Sequence, residues 1–392
     1  MVDDTTLAFA WEHRRDDAVS LLLRKHPGVD MPAAAQQIEG WQTSREKWPM
    51  LATEQRYLFP PRLNREQASS EATARYKAEI AGSIGRGADL TGGMGIDTLF
   101  LSEQAGHFDY IEQNTDLCAI ATENFRLLRG DRVTCHNADC IQWLQQQTDT
   151  FDLLFIDPAR RDDAGRKVAA FEYCQPNLLQ HLDLLMQRCN RLMVKASPMI
   201  DLNLAISQLQ HVGELHIVAV RGECKEVLFL LSHTATEPAI VCTHLMSDGR
   251  TQQRFRRSDE QQCQPVFAPR IGRYLYEPNP ALMKGGAFSL ICRWFDVAKL
   301  DRNTHLYTAD RLLPFPGRRF EIITEIPLNR KSIMPLLPEG KAHVVVRNYP
   351  VAADRLQQQL KIKEGGDRYI VATTLAGRKV AFVCESVPSE NQ

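Results

Sequence analysis

Three glycines within four positions, following an apolar run that ends in a carboxylate, constrain this chain more than any other stretch. The run reads Ala88-Asp89-Leu90-Thr91-Gly92-Gly93-Met94-Gly95-Ile96-Asp97, and a helical pattern begins at its end. Glycine accepts backbone angles closed to other residues, and without a Cβ it lets a ligand touch the main chain. A strand, a glycine turn and a helix N-terminus form a nucleotide-sized site where open α/β sheets bind their ligands. A plain sharp turn after a strand is the alternative for the glycines alone. Repetition favours the site. Glu112 ends the next apolar segment, Asp139 follows the third (Val133 to Ala138), and Asp157 ends the fourth (Phe151 to Ile156). Four consecutive β-like segments therefore finish in a carboxylate at one sheet edge.

Around that edge, strands and helices alternate from Gly87 to Ser232. The spacing predicts helices over Ile96–Gln104, Asn114–Leu128, Cys140–Gln147, Gln175–Arg188 and Leu202–Gln210, with a fifth strand over Arg191–Lys195. Two further β-like runs, Leu215–Val220 and Val227–Leu231, are separated only by Arg221 to Glu226. A parallel crossover needs a dozen or more residues, so this pair forms an antiparallel hairpin. Thr98 stands where a dinucleotide fingerprint would place its third glycine, which counts against NAD.

Both features belong to the class I S-adenosylmethionine-dependent methyltransferases, which the chain resembles. In that family the first acid and the glycine loop face the methionine part of the cofactor. The second acid takes the ribose hydroxyls, the third lies beside the adenine, and the fourth strand end faces the methyl and the acceptor. The resemblance assigns cofactor contacts to Asp89, Thr91, Gly93, Gly95 and Asp97. It adds Glu112 with Gln113, Asp139 with Cys140, and Asp157, which opens Asp157-Pro158-Ala159-Arg160. It implies a Rossmann-like α/β sheet, parallel with one antiparallel hairpin.

Residues 1–85 read as helical. Leu7, Trp11, Ala18, Leu21 and Leu22 form one stripe, Ala34–Trp48 a second helix, and Ser69-Ser70-Glu71 the cap of a third. Ser70 or Thr73 is read as an ordinary cap, with cofactor contact the alternative. After the sheet domain at 86–236, the texture changes near Pro238. Residues 237–316 are expected to form a small α+β, ferredoxin-like linker domain containing a basic loop or edge over Gln252–Gln264. Pro314 to Gly317 is a hinge candidate, and residues 317–392 form a second small α+β domain. This tail is similar to the THUMP-like domain of a group of bacterial class I methyltransferases. The matching residues are Tyr274 to Asn279, Val345 to Pro350 and Lys363 to Asp367. The Val29–Pro32 and Ser69–Lys77 stretches extend the likeness over nearly the whole chain. RNA binding is what this resemblance implies.

Charge points the same way. Up to Glu237 the chain holds 24 basic and 33 acidic residues, and beyond it 23 and 15, roughly −9 against +8. A basic half beside an acidic one suits a polyanion-binding module, with a merely solvated basic surface as the alternative. No apolar run reaches the length of a membrane span, and the acidic N-terminus is unlike a signal peptide, so a cytoplasmic location is expected. The ten cysteines show no C-x-x-C pair, and no histidines pair at metal spacing; free thiols and no metal are expected.

Methyl transfer from a sulfonium is an in-line displacement, for which a protein supplies alignment and often a base. Asp157 is the candidate to orient or deprotonate the acceptor, or else it caps a loop. Arg160, Arg161 and Lys195 give a positive rim suited to phosphate, or a surface cluster paired with Asp162 and Asp163. The Asp-Pro-Ala-Arg motif resembles the Asp-Pro-Pro-Arg of RNA pyrimidine C5 methyltransferases. Those enzymes need a cysteine nucleophile just after the fifth strand, where this chain has Val194-Lys195-Ala196-Ser197-Pro198. Direct transfer to a nitrogen or oxygen of a structured RNA is therefore expected. A small-molecule or protein methyltransferase, and a non-catalytic RNA-binding protein on a degenerate fold, are the other readings.

Overall fold

A computed structural model describes residues 2–24, 26–160, 171–234 and 236–388. The chain divides into two units, Met1–Gly213 with Val227–Thr236, and Glu214–Glu226 with Glu237–Gln392.

The first unit opens with five helices: α1 (Asp4–Glu12), α2 (Ala18–Leu22), α3 (Met31–Lys47), α4 (Arg62–Gln67) and α5 (Glu71–Ala81). The stripe from Leu7 to Leu22 is thus two helices, because the Asp17 carboxylate accepts the Ser20 N–H and starts a new one. Strands β1 (Ile84–Asp89), β2 (Ala105–Ile111), β3 (Val133–His136) and β4 (Phe151–Ile156) follow. Helices α6 (Ile96–Leu101), α7 (Thr115–Arg129) and α8 (Cys140–Gln145) alternate with them. A short ribbon, β5 (Ala159–Arg160) with β6 (Cys174–Gln175), precedes α9 (Leu178–Gln187), β7 (Cys189–Ala196) and α10 (Leu202–Leu209).

Within this unit the strand order is β3-β2-β1-β4-β7-β9, where β9 is Glu223–Ser232. β1 to β4 and β7 are parallel, and β9 runs antiparallel to β7. Chain order reverses between β1 and β4, the place where such sheets bind ligands. The turn before β9 is tighter than expected. Strand β8 (Val212–Val220) ends at Arg221-Gly222, both with positive φ, the two-residue geometry of a hairpin.

The N-terminal helices have no core of their own. Ile38, Trp41, Trp48 and Phe59 lie in one apolar cluster with Phe100, Phe108, Tyr110 and Phe125 of the sheet layer. Polar ties reinforce it. The Asn124 side chain accepts the Leu58 N–H at 2.8 Å and donates to the Leu58 carbonyl at 2.9 Å.

In the second unit, β10 (Ala239–Met246) pairs parallel with β8, and β11 (Gly249–Arg256) antiparallel with β10. The basic stretch expected as a loop or edge is this β11 strand followed by α11 (Arg257–Gln262). A seven-stranded sheet then follows in the order β13-β14-β12-β15-β18-β17-β16. Its members are β12 (Tyr274–Pro278), β13 (Ala298–Asp301), β14 (Thr304–Ala309), β15 (Gly317–Glu325), β16 (His343–Val346), β17 (Arg368–Leu375) and β18 (Arg378–Ser386). The hinge candidate is packed, with the Phe315 ring 5.1 Å from Tyr276 and 5.3 Å from Phe295. No helix among the described residues is long and apolar enough to cross a membrane.

Candidate functional site

The carboxyl ends of β1, β2 and β4 converge on the glycine loop. Gly92 lies so close to Tyr110 that an added Cβ would fall 2.3 Å from its ring. That ring turns its hydroxyl onward to donate to the Gly93 carbonyl at 2.6 Å. Gly93 has φ +57, and a Cβ there would approach only the Thr91 carbonyl, at 3.6 Å, so open space lies above it. The Gly93 N–H donates to Glu112 Oε2 at 2.8 Å, and the Asn114 N–H to Oε1 at 2.7 Å. Gly95, left-handed as well, is the N-cap of α6. Two backbone amides thus fix the second acid beside the loop, and each of its oxygens retains capacity to accept from a hydroxyl.

Asp89 is buried, with Oδ1 accepting the Thr91 N–H at 3.0 Å and Oδ2 the Thr98 hydroxyl at 2.7 Å. The Thr91 hydroxyl accepts the Asp157 N–H at 2.7 Å, locking the turn after β4 to the turn after β1. Burial pushes the Asp89 carboxyl from 3.8 up to about 7, against the pull of Thr98 and Thr91. A carboxyl with a raised folded pKa binds more protons folded than unfolded between those two values. Its contribution to stability is therefore full below the unfolded value and is lost as pH rises through the folded one. Asp89→Asn removes the titration and keeps an acceptor for Thr91. Between about pH 5 and pH 8 the unfolding midpoint of the variant is expected to decline less than that of the wild type. Parallel midpoint–pH curves from calorimetric scans would contradict the burial argument.

The other predicted residues take their places as follows. Asp139 is the exposed N-cap of α8, its Oδ1 accepting the Ile141 and Gln142 N–H groups at 3.0 and 2.9 Å. Cys140 is buried, which pushes its thiol up to about 12. Gln113 is exposed. Asp157 is ion-paired through Oδ2 to Lys195 at the end of β7. Ser70 caps α5 and accepts the Thr73 N–H, the ordinary reading of that motif. The Arg160 side chain and the Arg161, Asp162 and Asp163 cluster lie outside the described residues.

Asp97 brings in residues that sequence reasoning missed. Its carboxylate meets Lys77 Nζ of α5 at 3.1 Å and accepts the Ser69 hydroxyl at 2.7 Å. Lys77 is fully buried and also donates to Ser69 Oγ at 3.2 Å. Burial pushes the Asp97 carboxyl up, but the Lys77 and Lys195 ammoniums and the Ser69 hydroxyl outweigh it, so it lies below its ordinary value. The clue was Lys77 on the face of α5 that also carries Thr73 and Ala81, both buried. Ribbon pairing likewise sets Cys174 opposite Arg160, a cysteine that linear distance from the fourth motif had hidden.

The arrangement fits an S-adenosylmethionine site. Gly93 leaves room against the main chain, Glu112 stands at the second strand end, and Thr91 couples the first and fourth ends. Glycine loop and Asp89 would take the methionine portion, Glu112 the ribose, and Asp157 would face the methyl group.

Comparison with known proteins agrees on the family. A solved structure of a Porphyromonas gingivalis W83 protein, assigned as a methyltransferase, aligns over 99% of this chain and 100% of its own. The identity is 31% and the TM-score 0.88. Residues 274–316 match a ferredoxin-like domain model, and residues 317–386 a THUMP domain-like model. The ribosomal RNA large subunit methyltransferase K/L of Photobacterium profundum is 35% identical over 71 residues, 18% of this chain and 10% of that protein. The tRNA1(Val) (adenine(37)-N6)-methyltransferase of Escherichia coli is 33% identical over 85 residues, 21% of this chain and 34% of its own. These matches span only 10% and 34% of the curated relatives' length. Fold, site and full-length match together show that the chain belongs to the family of class I S-adenosylmethionine-dependent methyltransferases that carry C-terminal ferredoxin-like and THUMP-like domains.

Proposed function

We propose that the protein transfers the methyl group of S-adenosylmethionine to a nitrogen or oxygen of a structured RNA. The observation that carries this reading is the hydrogen-bonded link from Asp89 through Thr91 to the Asp157 main chain, with Glu112 fixed on the Gly93 amide. It holds three strand ends in register around one glycine elbow. When bound, the cofactor supplies an electrophilic methyl on a sulfonium. Asp157 orients the acceptor and accepts its proton, and Lys195, ion-paired to it, holds that carboxylate in place. Arg160, at the same strand end, is assigned to the acceptor's phosphate.

A nitrogen or oxygen acceptor fits the state of Cys189 and Cys224. Cys189 is buried, its thiol pushed up to about 12, with Sγ on the Leu185 carbonyl; burial also pushes Cys224 up to about 11. Neither is the activated thiolate that covalent addition to a pyrimidine requires. RNA as the substrate is supported by the THUMP-like tail and by the partial relatives, which are named for rRNA and tRNA.

The test is tritiated methyl incorporation into total RNA from a strain lacking the protein. Wild type is expected to label it, and Asp157→Asn to lower kcat by at least about 100-fold. Absence of label in every RNA fraction, with S-adenosylhomocysteine demonstrably bound, would remove RNA as the substrate.

A further inference from the structure

Asp97, on the first turn of α6, faces one lysine and feels a second. Its carboxylate is 12% exposed, lies 3.1 Å from Lys77 Nζ and accepts the Ser69 hydroxyl at 2.7 Å. Lys77 donates in turn to Ser69 Oγ at 3.2 Å and to the Thr73 carbonyl at 3.4 Å. The Ser69 carbonyl accepts the Trp48 indole N–H at 2.7 Å, which ties this corner to the helices before it. α5 therefore holds a fixed cation against α6. Burial pushes the Asp97 carboxyl up, but the ammoniums of Lys77 and of Lys195 outweigh it and keep the group ionised at neutral pH.

Lys195 belongs to the acceptor side. β4 and β7 run parallel with Ile156 beside Val194, so Asp157 and Lys195 leave adjacent strand ends, and their side chains pair through Asp157 Oδ2. β1 lies on the other side of β4, with Asp89 beside Phe155. Thr98, the residue after Asp97, donates to Asp89, and Thr91, bonded to the same carboxylate, accepts the Asp157 N–H. Four charges thus alternate in sign from α5 to the acceptor side: Lys77, Asp97, Lys195 and Asp157. Away from bulk water, a charge sits where its neighbours draw it. An ammonium drawn by Asp157 alone would follow that carboxylate as it turns. Asp97, braced by a buried lysine and a serine, gives it a second and fixed point of attraction.

We propose that Asp97 is a positioning residue for methyl transfer: it sets the place of the Lys195 ammonium and, through it, the direction in which Asp157 offers its other oxygen to the acceptor. The proposal rests on the reading that Asp157 and Lys195 meet the acceptor. It moves Asp97 from cofactor contact, which its place beside the glycine motif suggests, to acceptor alignment. It also gives α5 a part in that alignment. Such a part has leverage, because a misplacement of about 1 Å at a reacting centre costs up to about 100-fold in rate.

Asp97→Asn alone would strand the Lys77 charge, so the test uses Asp97→Asn together with Lys77→Met in the full-length protein, which removes both charges. The first readout needs no substrate. The protein is labelled with trace acetic anhydride, and acetylation of Lys195 is quantified by mass spectrometry against the exposed Lys363. The reagent takes the neutral amine, and Lys195 has lost an anion that favours its ammonium. Its acetylation is expected to be at least about threefold faster in the double variant, with Lys363 unchanged. The second readout is methyl transfer to total RNA. The double variant is expected to lose about tenfold in kcat, with S-adenosylhomocysteine affinity and the KM for RNA held within about twofold. On a Lys195→Met background the same double change should lower kcat no further, since Asp97 acts through that lysine. Denaturant midpoints check that the variants are folded. An unchanged acetylation rate at Lys195 would overturn the proposal, as would additive losses of kcat on the Lys195→Met background. Lost S-adenosylhomocysteine affinity with kcat intact would also overturn it and return Asp97 to the cofactor. Faster Lys195 acetylation in a protein whose wild type labels no RNA would remove RNA as the substrate and leave the positioning of Lys195 standing.

Discussion

Gly93→Asp is expected to abolish the calorimetric heat of S-adenosylhomocysteine binding, weakening affinity by at least about 100-fold, or about 2.7 kcal/mol. The residue sits at φ +57, where a side chain costs about 1 kcal/mol. Nothing within the protein blocks a Cβ, so the new carboxylate projects into the open space above the loop. There it meets the charge of Glu112, whose Oε2 is 2.8 Å from the Gly93 amide nitrogen, and occupies the volume assigned to the cofactor. The unfolding midpoint falls by only about 2–4 °C, since the packed side of the loop is unaltered. Gly93→Ala puts only a methyl group into that space and should weaken binding less than Gly93→Asp does. Full-strength binding by Gly93→Asp would mean that the donor lies elsewhere.

The largest stability effect is expected at Lys77. Lys77→Met leaves the Asp97 carboxylate inside the fold with its main cation gone, at a cost of about 3–5 kcal/mol. The double change Lys77→Met with Asp97→Asn removes both charges and should recover most of it, because a neutral amide can still take the Ser69 hydroxyl. The pH dependence gives a second readout. Asp97 is held below its ordinary value, so its pairing contributes stability above 3.8 and loses it as pH falls through the lowered folded value. Without Lys77, burial dominates and raises that carboxyl, so mild acid should stabilise the variant relative to wild type. Denaturant midpoints for the three proteins at neutral and mildly acidic pH decide the matter. An unchanged midpoint for Lys77→Met at pH 7 would refute the account.

How much of this was legible in the sequence depended on whether a signal was local. Asp89, Glu112 and Asp157 end apolar runs, and an acid at the wet end of a buried strand marks a sheet edge without knowledge of its neighbours. The hairpin across Arg221 to Glu226 was legible for a similar reason, since no crossover fits in so short a gap, but its tight Arg221-Gly222 turn was not. The break between α1 and α2 was harder. The apolar period runs on from Trp11 to Ala18, and only Asp17 as a cap betrays the interruption. Asp97 reads as a cofactor residue because it adjoins the glycine motif, yet its oxygens face Lys77 and Ser69 of the preceding helical region. That pairing joins residues some twenty positions apart on different elements, and a lysine on an amphipathic helix ordinarily reads as a solvated charge.

The shared core of the first unit has a consequence for inheritance. Because Trp41 and Phe59 are packed in the same cluster as Phe108 and Tyr110, and Lys77 answers Asp97, the leading helices are not an accessory that a lineage can exchange or discard. Any ligand that binds only the folded glycine elbow stabilises the helices packed with it, and by linkage whatever unfolds those helices weakens that binding. Substitutions near the beginning of the chain, far from any reacting atom, are thereby exposed to selection on methyl-donor affinity.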